Sequence, residues 1–122
     1  MDAALARLVW ERGSRRCEYF RMPQDYDDSP FEIDHVIAIK HHGRTTGNNL
    51  ALSCFYCNSS KGSNIGGLFH PRRHKWQRHF RWEGAYLLGR TPIGRVTIDV
   101  LCINDPLRVE LREALIAEGV FP

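Results

Sequence analysis

The chain has 122 residues, 25% of them charged, and a net charge of +3. This length fits one small globular domain and is too short for two separate cores. No apolar run approaches the roughly 20 residues of a membrane-spanning helix, and the N-terminus lacks a signal-peptide pattern. We therefore expect a protein of the cytoplasm with no membrane contact.

The charges are unevenly distributed. Residues 24–34 carry five acids and no Lys or Arg, whereas residues 70–81 carry five Arg or Lys residues and no acid. A basic segment of this kind predicts that one face of the domain binds a polyanion.

The N-terminal part is predicted to begin with a helix over Ala3 to Arg12, because Asp2 is a favourable N-cap and Gly13 a common stop. The stretch from Met22 to Pro30 contains two prolines and three aspartates, which favour a surface turn or a single helical turn.

Four cysteines are present: Cys17, Cys54, Cys57 and Cys102. Cys54 and Cys57 form a close CxxC pair, which in a chain expected in the cytoplasm indicates metal binding or redox activity rather than a disulfide framework. Cys102 lies in an apolar run, so we predict a small, buried hydrophobic residue there.

Residues 31–62 are predicted to form a ββα unit. The stretch from Phe31 to Ile39 is rich in β-branched residues, typical of a strand, and Asn49 to Ser53 follows as a second strand after a long loop. Ser53 can cap a helix over Cys54 to Lys61, which Gly62 ends. Such a small unit needs flanking elements or a structural metal for stability.

The segment after the ββα unit interleaves aromatic residues with cations. Ser63 to Leu68 has the composition of a flexible linker. In residues 69–82 we expect Phe69, Trp76 and Phe80 to anchor the core, because aromatic side chains fill cores while cations point outward. His74 and His79 are expected to be solvated or to face phosphate.

The C-terminal segment, about residues 92–119, is predicted to be helical after a hairpin turn between Trp82 and Tyr86. Thr91-Pro92 starts a helix that we extend to Ile103, although alternating apolar residues there also fit a strand. Asp105-Pro106 starts a last helix that Gly119 stops. Its predicted apolar face carries Leu107, Leu111 and Leu115.

Four polar residues of the ββα unit are of the types that a one-metal phosphodiesterase site needs: Asp34, His35, Asn49 and Asn58. A neutral histidine can act as general base, and an adjacent carboxylate can hold a hard divalent ion such as Mg²⁺. Neighbours in a strand point to opposite faces, so Asp34 and His35 can serve one site only if the strand bends or ends there. Asn49 could orient His35 or brace the loop, and Asn58 offers an amide oxygen as a second ligand. Taken singly, each of the four also fits an ordinary structural role.

These residues and their spacing resemble the HNH endonuclease family. The resemblance rests on Asp34-His35, on Gly43 in the loop, on Asn49-Leu50, on Cys54-x-x-Cys57-Asn58 and on Lys61-Gly62. It implies a small single α+β domain over residues 1–122, with a ββα-metal core flanked by N- and C-terminal helices. It also implies that His35 is the general base, that Asn49 and Asn58 are the other catalytic residues, and that Asp34 and Asn58 hold the divalent metal.

The resemblance extends more weakly along the chain. The stretch LFHPRRHKWQRHFRW and the later TPIG and NDP segments are similar to a bacterial, notably cyanobacterial, branch of the family. We therefore interpret the whole chain as one nuclease domain.

One departure from the family concerns zinc. Relatives with a structural zinc carry two CxxC pairs, whereas here Phe20 stands at the position expected for the second cysteine of the first pair. Cys17, Cys54 and Cys57 remain as candidate ligands, and water or a histidine such as His41 or His42 would have to complete the site. Because closed zinc sites use four protein ligands, the alternative is that the site is lost and Phe20 packs in the core.

The function predicted from the sequence is that of a metal-dependent DNA endonuclease. Cations expected to contact phosphates with weak sequence specificity are Lys61, Arg72, Arg73, Lys75 and Arg78. Two alternatives remain: a nucleic-acid-binding module that kept this fold and lost catalysis, and a zinc-ribbon-like interaction module. No residue pattern distinguishes a monomer from a homodimer.

Overall fold

The structure, a computed structural model, describes residues 1–62 and 66–122. Helices and two small antiparallel sheets make up this part of the chain, which confirms the α+β class. The helices are α1 (Ala3–Arg12), α2 (Phe55–Lys61), α3 (Trp76–His79), α4 (Pro92–Val100) and α5 (Pro106–Ala117). The strands are β1 (Glu32–His35), β2 (Leu50–Ser53), β3 (Phe80–Glu83) and β4 (Tyr86–Gly89). In the described ranges no helix is both long and apolar enough to cross a membrane.

The predicted ββα unit is present, with one strand shorter than expected. β1 pairs with β2 in antiparallel register, with His35 opposite Leu50, and α2 contacts β1. The prediction that β1 runs on to Ile39 is wrong, because the side chain of Asn49 takes both backbone polar groups of Ile37. The chain then forms a 3-10 turn at Ile39–His41 in place of further strand. β1 therefore ends at His35.

Helix starts follow the capping residues closely. Asp2 Oδ1 accepts a hydrogen bond from the Leu5 N–H at 2.8 Å, and Thr91 Oγ1 accepts one from the Gly94 N–H at 3.1 Å. The helix prediction after Thr91 is confirmed over the strand alternative, although α4 ends at Val100 rather than at Ile103. In α2 the cap is Cys54 rather than Ser53, because Cys54 Sγ accepts from the Cys57 N–H.

The hairpin and the aromatic anchors after the ββα unit are confirmed. β3 and β4 form the hairpin, and Phe69, Trp76 and Phe80 are buried. His79 is buried against Thr91 rather than solvated, so that prediction is wrong. The first half of the predicted linker, residues 63–65, lies outside the described residues.

Cys102 is exposed rather than buried. It follows α4 with a positive φ of 53°, in the turn between the two C-terminal helices. The prediction from the apolar run that Cys102 is buried is therefore wrong.

The face that α5 buries agrees with the predicted one only at Leu115. Leu107 is 76% exposed and Leu111 43% exposed, whereas Arg108 and Arg112 are buried. The Arg112 guanidinium donates to Ala85 O, Ile103 O and Asn104 Oδ1 at 2.8 to 3.1 Å. It thereby satisfies two backbone carbonyls that would otherwise be buried without a donor. The rotation of α5 follows from this hydrogen bonding and not from leucine spacing.

We expect Arg112→Met to lower the free energy of unfolding by about 3 kcal/mol, because it keeps the apolar volume but leaves buried acceptors without a donor. Urea unfolding followed by circular dichroism measures the change. Arg81→Met, at an exposed position of β3, is the matched control and should stay within about 0.5 kcal/mol of the wild type. Equal effects of the two substitutions would contradict the role assigned to Arg112.

Candidate active site

Asp34 lies near the end of β1 and faces α2. Its Oδ2 atom is 3.2 Å from the Lys61 ammonium and accepts a hydrogen bond from the Tyr19 hydroxyl at 3.3 Å. Burial raises the pKa of the Asp34 carboxyl above its ordinary value, and the nearby Lys61 opposes this shift without cancelling it. Burial and the neighbouring Asp34 charge likewise raise the pKa of Tyr19 well above its usual value. The site therefore contains a carboxylate whose charge the protein compensates only in part.

His35 is the last residue of β1, and its ring reaches the loop rather than α2. His35 Nε2 is 2.8 Å from the Thr45 hydroxyl oxygen. β1 ends at this residue, and the two side chains lie towards different elements, His35 towards the loop and Asp34 towards α2. His35 is partly exposed, so a substrate from solvent can approach its ring.

Asn49 braces the loop between the strands. Its Oδ1 accepts from the Ile37 N–H at 2.9 Å, and its Nδ2 donates to Ile37 O at 3.0 Å and to Arg44 O at 2.9 Å. Its backbone carbonyl accepts from the Val36 N–H at 2.8 Å. Of the two roles considered for Asn49, these contacts correspond to bracing the loop next to His35.

Asn58 lies on the first turns of α2 and donates through Nδ2 to the carboxylate of Glu32. Glu32 and Asp34 are two residues apart on β1 and both contact α2, so they share one face of the strand. Sequence reasoning passed over Glu32 and Tyr19. The period of two along β1 could have indicated Glu32, whereas nothing local in the sequence indicates Tyr19, which reaches Asp34 through the tertiary fold.

The donor atoms on this face suit a hard divalent ion. Glu32 and Asp34 offer carboxylate oxygens, and Asn58 offers its amide oxygen because the bond to Glu32 uses the amide nitrogen. Oxygen donors of this kind are those that Mg²⁺ prefers. The residues present therefore fit a divalent metal.

The candidate DNA contacts differ in exposure. Arg73, Lys75 and Arg78 are exposed, whereas Arg72 is partly buried and paired with Glu18. Lys61 is buried, and its ammonium donates to His35 O at 3.1 Å and to Val36 O at 3.3 Å besides contacting Asp34. The expectation that Lys61 contacts phosphate does not agree with this position. Arg73 lies beside the bracing loop, in a concavity that it shares with Arg44 and Asn49.

Cys17, Cys54 and Cys57 form a buried cluster whose sulfur atoms lie within 4.8 Å of one another. Three thiols in this arrangement could hold a metal ion. The Arg108 guanidinium donates to Cys57 Sγ at 3.2 Å and to Cys54 Sγ at 3.9 Å, and it lies 4.7 Å from the centre of the Phe20 ring. In the part of the chain that is described, the group contains no fourth ligand, and His41 and His42 are exposed in the loop.

Comparison with known proteins agrees with this geometry. Residues 16–64 match the model of the HNH endonuclease family, a range that includes the ββα unit and the three clustered cysteines. No curated protein and no solved structure matches the chain significantly. HNH domains are nuclease domains that use divalent metals, so the match indicates a nuclease-type function with a nucleic acid as substrate. Residues 16–64 are thus similar to an HNH endonuclease domain, and the residues that carry the sequence resemblance, from Asp34 to Gly62, lie within them.

Proposed function

We propose that the chain is a metal-dependent DNA endonuclease that hydrolyses phosphodiester bonds. The observation that carries this proposal is the arrangement at the end of β1. A partly exposed histidine ring lies there next to a strand face that carries the oxygen donors of Glu32 and Asp34, with Asn58 against it.

In this proposal His35 is the general base. Its ring accepts a proton from water, which attacks the scissile phosphate in line with the leaving 3′ oxygen. Asn49 positions His35 by fixing the chain that follows β1. Asp34 and Asn58 hold the divalent ion, and Glu32 lies close enough to Asn58 to contribute. When bound, the ion supplies positive charge that stabilises the phosphorane and the leaving oxygen.

DNA binding is assigned to the exposed cations of the basic-aromatic segment. Arg73 is the first of these, since it lies beside the loop that carries Asn49, and Lys75 and Arg78 extend the basic surface along the same segment. Contacts of this kind reach phosphates and so give weak sequence specificity.

A DNA-binding module without catalysis is the second candidate, and one observation favours it. The proposed metal ligands already have protein partners, because Lys61 and Tyr19 engage Asp34 and Glu32 engages Asn58. A metal would have to displace or share these contacts.

For the cysteine cluster we propose that zinc is not required. The side on which a fourth ligand would lie is taken by Arg108 and Phe20, and a guanidinium has no lone pair to donate.

The first prediction concerns His35. Replacing it by alanine should lower the rate of plasmid nicking by at least about 100-fold, because the base is lost while the contacts that hold the fold remain. Conversion of supercoiled plasmid to open circle is followed with Mg²⁺, Mn²⁺, Ni²⁺ or EDTA.

His41→Ala, at an exposed loop position, is the control for His35→Ala and should nick at the wild-type rate. Cleavage that survives in His35→Ala would contradict the assignment of the base. A wild-type protein that binds DNA but nicks with none of these ions would favour the second candidate.

A second prediction concerns affinity. The double variant Arg73→Gln/Lys75→Gln should bind duplex DNA more weakly and with a shallower salt dependence, by about one unit of slope for each phosphate that is no longer neutralised. Fluorescence anisotropy over a salt series measures both quantities. Arg95→Gln, an exposed cation on α4, should leave affinity and slope unchanged. The control removes one charge and the double variant two, so if Arg95→Gln loses half as much affinity as the double variant, only net charge matters and the assignment fails.

A third prediction concerns zinc. The purified wild-type protein should contain far less than one zinc ion per chain, whereas Phe20→Cys should raise the content by adding a fourth thiol. Mass spectrometry of the metal content, alongside a thiol titration, measures this. Stoichiometric zinc in the wild-type protein would show that Arg108 does not exclude the metal.

A further inference from the structure

A pocket of about 260 Å³ lies between the end of α1 and the basic-aromatic segment, outside the candidate active site. Its lining includes four arginines, Arg12, Arg16, Arg21 and Arg72, and a single carboxylate, that of Glu18. Drug-sized ligands need pockets of roughly 300 Å³ or more, so this space suits a small ligand.

Some N–H donors of the guanidinium groups around this pocket have no hydrogen-bond acceptor. Among the described residues, four buried side-chain nitrogens have no hydrogen-bond partner, and three of them are the Nε atoms of Arg12, Arg21 and Arg72. Arg12 donates through Nη2 to Leu50 O at 2.7 Å, and Arg16 donates through Nη1 to Arg21 O at 3.0 Å. Buried donors normally have hydrogen-bond partners. Three unpaired donors on residues that line the same pocket therefore indicate that a bound ligand supplies the acceptors.

Glu18 cannot be that acceptor for all of them. One of its oxygens pairs with Arg72, and the other accepts from the Leu52 N–H at 2.9 Å. A single carboxylate therefore faces four cations, which leaves the lining with a surplus of positive charge.

The other contacts of these arginines fix the positions of their guanidinium groups. The Arg21 guanidinium lies over the Trp76 ring at 5.0 Å from its centre, although Arg21 has a left-handed backbone with φ of 71° that a non-glycine residue rarely adopts. Burial and the neighbouring Arg12 lower the pKa of Arg72 to about 10, and burial and Arg16 lower the pKa of Arg21. In both cases burial and a second arginine nearby act against the charge of the guanidinium group.

We propose that this pocket is a binding site for a tetrahedral oxyanion, namely a phosphate group. Guanidinium groups match phosphate oxygens with paired N–H donors and keep their charge when partly buried. The anion would supply negative charge to a lining that carries four arginines and one carboxylate. The phosphate can come from a nucleic-acid backbone or from solution as a free ion, and the chemistry of the pocket is the same for both.

The position of the pocket links it to the ββα unit. Arg12 binds the carbonyl of Leu50, the residue that pairs with His35, and Arg72 precedes Arg73, which lies beside the bracing loop. The pocket is therefore connected through Arg12 and Arg72 to elements that border the candidate active site. The part of the proposal that concerns a nucleic-acid phosphate rests on the proposed function, whereas binding of the free ion does not.

The test uses Arg21→Asn, because asparagine tolerates a left-handed backbone and the substitution removes a guanidinium that holds no backbone carbonyl in place. Arg15→Asn is the matched control. Arg15 also has a positive φ, of 55°, and carries the same charge, but it pairs with the exposed Asp25 and does not line the pocket. Arg16→Gln is a second pocket variant, since glutamine can keep the hydrogen bond to Arg21 O.

The first measurement is thermal unfolding at constant ionic strength with sodium phosphate in place of sodium chloride. Phosphate should raise the melting temperature of the wild-type protein and of Arg15→Asn, and this rise should be lost in Arg21→Asn and in Arg16→Gln. The second measurement is duplex DNA affinity over a salt series. A loss of affinity in Arg21→Asn beyond that in Arg15→Asn would identify a nucleic-acid phosphate as the ligand.

An unchanged DNA affinity together with a lost phosphate effect would identify the free ion as the ligand. If the pocket variants and Arg15→Asn respond equally in both measurements, the pocket is not an oxyanion site. Neither measurement depends on cleavage, so a protein without nuclease activity still tests the proposal.

Discussion

The buried ammonium group of Lys61 connects the two halves of the candidate site. It donates to the carbonyls of His35 and Val36 and lies against the carboxylate of Asp34, so the last turn of α2 is fixed to the end of β1. Asn49 fixes the same end of β1 from the other side through Ile37. The position of the His35 ring thus depends on two side chains that need not touch substrate themselves. In a unit of this size, such polar contacts add to the apolar contacts that Phe31, Leu50 and Leu52 make with the core of the domain.

In the C-terminal half, buried arginines connect separate parts of the chain by hydrogen bonds, as Lys61 does at the candidate site. Arg112 satisfies buried carbonyls from two separate stretches of chain, and Arg108 donates to two of the three clustered thiols. The aromatic ring of Phe20 lies against both guanidinium groups. In this chain Arg108 of α5 lies beside the paired thiols of Cys54 and Cys57, and Phe20 stands at the sequence position expected for a fourth cysteine. The connection between the ββα unit and α5 is therefore made by charge-assisted hydrogen bonds and cation–π contacts.

Most features that depend on neighbouring residues were predictable from the sequence, apart from the cap of α2, which is Cys54 and not Ser53. Features that depend on distant residues were not predictable. The caps at Asp2 and Thr91 and the hairpin before α4 follow from local hydrogen bonding, and the structure has all of them. The burial of Lys61 depends on carbonyls about 25 residues away in the chain, so its residue type suggested a surface cation instead. Leucine spacing likewise failed on α5, because acceptors from the β3–β4 hairpin region and from the turn after α4 draw Arg112 inward.

Asn49 and Asp34 differ in what their contacts contribute to the stability of the fold. Asn49 has both its amide oxygen and its amide nitrogen bound to backbone groups, so the fold alone explains why it is asparagine. Asp34 differs, because burial raises its pKa in the folded state above the value expected in the unfolded chain. For an acid with a raised pKa, the favourable contribution to stability exists at acidic pH and disappears as the pH rises through the folded pKa. Near neutral pH an ionised carboxylate at this position therefore costs stability, and Lys61 offsets only part of that cost. Without this carboxylate the buried Lys61 ammonium would lose its counter-charge, and in the proposed function the same carboxylate is an oxygen ligand for the divalent cation.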